Sequence, residues 1–438
     1  RKEIETMKTP KGFRLQIGIF GRRNVGKSSF LNMLTRQYVS IVSATPGTTT
    51  DPVEKAMELL PVGPVLFIDT AGVDDLGALG EERILRTHKA IERTDLGVII
   101  AEAGGWSDFE ENLLGRLEKE DVPVIVVFNK ADLAEPAPET IAELENRKIP
   151  WTTAMANRGK GLVEFKELLI KNLPADIMRS RPIVGDLVRP GELIVLVVPI
   201  DLEAPRGRLI LPQVQTIRDI LDHEGACVVV KETGLARVLE ELKNPPGLVV
   251  TDSQAFASVA RITPEEVPLT SFSILFARLK GDLKTFTAGA AAIDGLEDGD
   301  RVLIAEACTH HPIGEDIGRV QIPALIRKRR GSEIAFDVVA GHDFPADLDG
   351  YRLVIHCGSC MFNRREVLSR ITRVGREGVP ITNYGLALAY CRGISSRVVA
   401  PFPELDYREN DKDNGSTVQK KRRNRDEGLH CRRRPRYR

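Results

Sequence analysis

Three groups of residues in this 438-residue chain have the types and spacing to do chemistry. The first is Gly21-Arg-Arg-Asn24-Val25-Gly26-Lys27-Ser28-Ser29. Its glycines let backbone N–H groups turn inward around phosphate oxygens, Lys27 can reach the β- and γ-phosphates, and Ser28 can ligate Mg²⁺. The second is Asn129-Lys130-Ala131-Asp132. A carboxylate at Asp132 accepts from both N1–H and the 2-amino group of guanine, whereas adenine offers no such pair of donors and leaves it unpaired. The third is Cys308-Thr-His310 with His356-Cys357-Gly-Ser-Cys360. A Cys-x-x-Cys turn presents two thiolates to one metal centre and Cys308 adds a third soft ligand, a set that favours zinc or an iron–sulfur cluster. Spacing alone leaves three readings open: a Cys₃His zinc completed by His310 or His356, an iron–sulfur cluster, or a dithiol redox site of Cys357 and Cys360 in which Cys308 has no role.

The elements that must position these residues are also legible. The apolar run Leu15 to Phe20 precedes Gly21 directly, and helical periodicity follows through Leu34. That is strand, phosphate loop and helix in the required order, with the helix N-terminus adding positive potential. Val65 to Ile68 delivers Asp69-Thr-Ala-Gly72, and Val122 to Phe128 delivers Asn129. After the proline-bearing linker Met178 to Pro182, apolar runs at Leu193 to Ile200, Cys227 to Val230 and Leu248 to Val250 alternate with helical stretches at Gln213 to His223 and Leu235 to Leu242. This second α/β unit has no catalytic signature, which suits it to association. In the third segment, strands Arg301 to Ala305 and Arg352 to Ile355 each run out into a cysteine group, and in an open parallel sheet the carboxyl ends of strands form the binding crevice. The expected architecture is three α/β domains: a P-loop GTPase domain over 1–173, a small dimerisation module over 183–262 and a cysteine-bearing module over 263–402. Residues 403–438 are expected to be a disordered basic tail.

Composition bounds the rest. Hydrophobic residues at 42% and charged residues at 28% describe a soluble globular chain, and no apolar run approaches the ~20 residues that cross a bilayer. Arg1 to Thr9 is charged and lacks a signal-like apolar stretch, so a reducing cytoplasm without disulfides is expected. A formal net charge of zero conceals the segment Lys420 to Arg438, with ten Lys or Arg against Asp426 and Glu427. It lacks apolar periodicity and reads as a solvated tail, not a nucleic-acid contact. Cys227, flanked by alanine and valines, is expected as a buried strand residue, Cys391 in a helix and Cys431 in the tail. His311 reads as a turn residue before Pro312, and His342 lies outside the motif.

Resemblance sharpens these readings. Asp69-Thr-Ala-Gly72 resembles the GTPase motif that holds Mg²⁺ through water and senses the γ-phosphate by a glycine amide. Thr45-Pro-Gly-Thr48-Thr49 resembles the TPGTT stretch of the Era/TrmE-like GTPases, which implies Thr48 as a Mg²⁺ ligand beside Ser28 and Asp69, with Thr49 the alternative. Asn24 matches the asparagine that holds K⁺ in the potassium-activated members, where the cation offsets transition-state charge. Thr153-Ala154 stands in for their Ser-Ala base-contacting motif. Val73 occupies the place of the water-orienting glutamine of Ras-like enzymes, so intrinsic turnover is expected to be slow.

An Era-like GTPase joined to C-x-H … H-C-x-x-C resembles the HydF family of [FeFe]-hydrogenase maturation GTPases, over the chain to about residue 402. The resemblance implies a homodimeric scaffold whose Cys308, Cys357 and Cys360 hold a [4Fe–4S] cluster. Glu315, His310 and His356 are candidates for a weak or exchangeable ligand at the fourth iron. It further implies carriage of a transient diiron subcluster precursor, delivery to the hydrogenase apoprotein, two radical-SAM maturases as partners and GTP/GDP as a switch. The rival from another class is a ribosome-associated Era-like GTPase whose cysteines hold structural zinc and whose tail touches RNA.

Overall fold

The computed structural model describes residues 9–36, 53–70, 87–173, 181–199, 209–307, 316–331, 333–345 and 347–405. Thr48, Gly72, Val73, Cys308, His310, Glu315 and residues 406–438 lie outside them.

The first sheet contains β1 (Leu15–Phe20), β2 (Val53–Leu59), β3 (Gly63–Asp69), β4 (Leu96–Glu102), β5 (Val124–Asn129) and β6 (Trp151–Thr153) in the order β2-β3-β1-β4-β5-β6. Only β2 and β3 pair antiparallel. Every residue of β1 and β5 is buried, because a parallel sheet covered on both faces needs apolar side chains at odd and even positions alike. Ile17 and Ile19 enter one core with Phe30 and Phe165, while Phe20 enters the opposite core with Leu114 and Phe128.

A second sheet orders β7 (Leu193–Val197), β8 (Ala226–Val230), β9 (Leu248–Thr251) and β10 (Leu269–Ser271) as β10-β9-β7-β8, all parallel. Since β10 pairs with β9, this unit runs past the expected boundary at 262. Cys227 is half-buried, not buried, because β8 is the sheet's edge; Val229 on the same strand is 42% exposed. The third sheet, all parallel, orders β11 (Arg301–Glu306), β12 (Ala335–Ala340), β13 (Tyr351–His356) and β14 (Ile381–Asn383) as β12-β11-β13-β14.

These two units share one continuous core running from Ile183 to Leu405. The Phe272–Lys280 helix lies at its centre and packs on the Leu211–Asp222 and Arg364–Arg376 helices. Emptying a fully buried position there, such as Phe276, costs about 3–5 kcal/mol. Residues 403–405 are corrected from the expected tail, since Pro403–Leu405 form a 3₁₀ turn with Leu405 in that core. In the third sheet the chain leaves β11 for β12 on one side and returns to β13 on the other. The switch point therefore falls between the carboxyl ends of β11 and β13.

Candidate functional site

The chain turns as soon as β1 ends. Gly21 has φ +139° and a Cβ there would stand 2.1 Å from the Ile100 carbonyl oxygen; at Gly26, φ +98°, it would meet Asn129 Nδ2 at 2.2 Å. Both positions are closed to side chains. Lys27 opens the Lys27–Arg36 helix and its Nζ donates to the carbonyls of Gly21 and Arg22, at 2.7 and 2.6 Å, so the ammonium curls over the loop it serves. Asn24 is exposed in that loop at φ 63°. Burial raises the Asp69 carboxyl above its ordinary range, against the charge of Lys27 and a hydrogen bond from Ser28. Asp69 Oδ1 is buried with no hydrogen-bond partner. An orphaned carboxylate oxygen beside a serine hydroxyl is a donor set that fits Mg²⁺.

Asn129 ties the loop over residues 21–28 to the turn that follows β6. Its Nδ2 donates to the Val25 carbonyl at 2.8 Å and its Oδ1 accepts from the Ala156 amide at 3.1 Å. Lys130, at φ 58°, pairs with Glu102, and Asp132 Oδ2 lies 3.1 Å from Arg158 Nη2. The expected contact by Thr153-Ala154 is corrected. Thr153 belongs to β6, and the Ala154 amide donates to the Phe128 carbonyl at 2.8 Å while its own carbonyl accepts from the Ala131 amide at 3.1 Å. Both backbone groups of Ala154 are thus taken, its N–H by the end of β5 and its carbonyl by the loop that follows Asn129. The next turn, Ala156–Arg158, stands beside Asp132 instead.

At the other site, Ala305 of β11 lies opposite His356 of β13, so both cysteine segments leave the same end of the sheet. The Ala307 amide, one residue before Cys308, donates to Cys357 Sγ at 3.0 Å, and the Ser359 amide approaches the same sulfur at 3.4 Å. Ser359 takes φ 56°, which folds the turn back toward Cys360. N–H groups aimed at sulfur favour the thiolate and are the usual surroundings of a cluster-ligating cysteine, so these residues fit a thiolate-held iron–sulfur group. Among the described residues no three His, Cys, Asp or Glu side chains converge as a metal site; Cys308 is not one of those residues.

His356 is corrected as a candidate ligand. Its ring is fully buried, Nε2 accepts from Arg370 at 3.1 Å, and Nδ1 faces Ser359 Oγ at 3.0 Å and the Cys357 carbonyl at 3.1 Å. Burial and then the Arg370 charge push its pKa down to about 3. The neutral ring, with both nitrogens engaged, braces the turn from behind. Cys391 lies elsewhere in a helix, its thiol pushed up to about 11 by burial.

Motif reading missed what presses on this turn from the first unit. A Cβ on Gly12, in the Lys11–Phe13 turn that leads into β1, would stand 2.5 Å from the Phe362 carbonyl oxygen and 3.0 Å from that of Cys360. Lys280, 3% exposed, donates to the carbonyls of Gly12 and Phe362 and lies 4.0 Å from the Phe13 ring centroid. Asn363 caps the helix that follows the turn and donates to the Arg93 carbonyl at 2.8 Å and Asp95 Oδ1 at 3.0 Å.

Comparison with known proteins matches all three units. A family model described as the hydrogen maturase F dimerization domain matches residues 183–281, one described as the hydrogen maturase F tetramerization domain matches 284–401, and one described as a 50S ribosome-binding GTPase matches 16–130. GTPase Der of Wolinella succinogenes is 35% identical over 39% of this chain and 38% of its own length. The tRNA modification GTPase MnmE of a Synechococcus strain is 42% identical over 29% of this chain and 28% of its own. The chain thus spans well under half of these relatives. Among solved structures, Era bound to MgGDPNP and a 16S ribosomal RNA segment is 22% identical, with TM-score 0.31, over 49% of this chain and 92% of that one. The G domain of the T. maritima FeoB iron transporter is 24% identical, with TM-score 0.30, over 37% and 99%.

Proposed function

We propose, for a chain that belongs to the hydrogen maturase F family, that it is a GTP-hydrolysing scaffold that holds a [4Fe–4S] cluster and assembles and delivers the diiron subcluster precursor to [FeFe]-hydrogenase apoprotein. One observation carries the metal half of this reading: the Ala307 amide sits on Cys357 Sγ, bringing the residue before Cys308 to the Cys-x-x-Cys turn at the sheet's switch point. Cys308, Cys357 and Cys360 are the thiolate ligands. When bound, such a group supplies one iron free to exchange its fourth ligand, for which Glu315 and His310 are the candidates. The chain's own part is to hold the thiolates with amide donors and to brace the turn through His356.

In the nucleotide unit, Gly21, Val25 and Gly26 shape the loop, Lys27 meets the phosphates, Ser28 and Asp69 hold Mg²⁺ with Thr48, and Asp132 selects guanine. Ser29 lies in the first turn of the helix that faces the phosphates, Gly72 senses the γ-phosphate, and Asn24 holds K⁺. A homodimer forms through β8, whose open edge and exposed Val229 are supported as an interface by the dimerization-domain match. The hydrogenase apoprotein and two radical-SAM maturases are the partners, in a reducing cytoplasm. No helix among the described residues is long and apolar enough to cross a membrane. The test is metal and sulfide analysis after anaerobic purification. Iron with equimolar acid-labile sulfide supports the scaffold; zinc without sulfide supports a structural site instead.

A further inference from the structure

The GTPase unit reaches the cysteine turn by a continuous line of side chains. Glu54 of β2 holds Arg93 at 2.9 Å, and Arg93 Nη1 lies 3.1 Å from His342 Nε2. His342 Nδ1 lies 2.7 Å from Glu366 Oε1, which Arg370 Nη2 meets at 3.3 Å. Arg370 in turn donates to His356, the residue hydrogen-bonded to Ser359 between the two cysteines. Arginine can only donate, so His342 Nε2 accepts and its Nδ1–H donates to the carboxylate. The imidazole is thereby fixed as a two-sided connector, and its ring also stacks on Phe362 with centroids 5.2 Å apart.

The near end of this line adjoins the candidate nucleotide site through strand pairing. Glu54 lies opposite Ile68 and Val53 opposite Asp69, so β2 is hydrogen-bonded to the strand that presents the orphaned Mg²⁺-facing carboxylate. A second line runs beside it: Asp95 accepts from the Gln16 amide of β1 at 2.8 Å and from Asn363 at 3.0 Å, and β1 runs directly into the phosphate loop. Packed, hydrogen-bonded elements of this kind pass small displacements on because they cannot deform continuously.

We propose that Arg93, His342 and Asn363 are positioning residues that couple nucleotide binding in the GTPase unit to the seating of the group held by Cys357 and Cys360. The inference rests on the scaffold reading above. Coupling of two binding equilibria is reciprocal, so it is measurable from the nucleotide side without hydrogenase activity.

The test measures GDP and non-hydrolysable GTP affinities on full-length protein, metal-free and after iron–sulfur reconstitution, with iron and sulfide counted in each sample. In the unmodified protein, reconstitution changes the affinity for one of the two nucleotides by roughly fivefold or more. In His342→Ala the ratio falls toward one by the share this line carries, with iron content unchanged, because the connector is lost from a half-exposed position while the second line through Asn363 remains. His342→Gln, which keeps an acceptor for Arg93 and a donor for Glu366, retains an intermediate ratio, and Asn363→Ala lowers it by the second line. Iron uptake with equal affinities in the unmodified protein, or an unchanged ratio in His342→Ala, overturns the coupling and leaves the scaffold reading standing. Failure to take up iron and sulfide at all overturns the scaffold reading, and the coupling falls with it.

Discussion

Arg158 Nη2 lies 3.1 Å from Asp132 Oδ2. The residue we propose selects guanine is thus held by a partner that is itself 64% exposed, so guanine's N1–H and 2-amino group would compete with a solvent-screened ion pair worth little.

Asp132→Asn therefore moves preference from guanine toward xanthine, because an amide presents a donor where the carboxylate accepted. GTP affinity falls by roughly two orders of magnitude or more while XTP affinity rises. Competition binding with GTP, ATP and XTP reads this directly, and an unchanged preference for GTP would remove Asp132 from the role.

Potassium is predicted to accelerate GTP hydrolysis well beyond sodium. Asn24→Ala abolishes the difference, since Lys27 and Ser28 remain while the exposed loop carboxamide is lost. Equal rates in the two salts for the unmodified protein would show that Asn24 only shapes the loop.

Much of this was open to sequence reading, for a local reason. Phosphate loop, Asp69 and Asn129 each follow an apolar strand at a fixed step, and parallel strands covered on both faces announce themselves as unbroken apolar runs. What failed depended on direction or distance. His356 and Cys357 are neighbours at a strand end, where successive side chains point to opposite faces, so a sulfur turned to the crevice sends the imidazole into the core. Ala154 was misassigned because the partners that take its backbone groups, Phe128 and Ala131, are distant in sequence. Three-residue β10 is too short to show a period, which hid the boundary beyond 262. His342 looked idle because its partners come from positions 93 and 366.

Asp95 carries a pH signature. Burial pushes its pKa up to about 6 from an ordinary value of 3.8. At low pH both folded and unfolded chains hold the proton; as pH rises from about 4 to about 6 only the unfolded chain releases it, so stability falls over that window by roughly 3 kcal/mol from this group. Asp95→Asn should flatten that slope in urea unfolding between pH 4 and 7, although the amide accepts one fewer hydrogen bond than the carboxylate it replaces. An identical slope in the variant would contradict the assignment.

At the β8 edge, Val229→Asp places a charge where the second copy would dock and should weaken the dimer by about tenfold or more. Sedimentation over a concentration series measures this. GTP hydrolysis is expected to persist, because the edge lies in a different sheet from the nucleotide loops.

The central claim is the thiolate-held cluster, and the most direct measurement is iron and acid-labile sulfide content, with EPR of the reduced protein, across cysteine variants assayed in parallel for GTP hydrolysis. Cys308→Ser, Cys357→Ser and Cys360→Ser should each lose the [4Fe–4S] signal, while Cys227→Ser and Cys391→Ser keep it and all five hydrolyse GTP. Glu315 or His310 substitution should change the EPR line shape without emptying the site. A full cluster in Cys308→Ser, or unmodified protein that binds zinc and never iron with sulfide, would contradict the account.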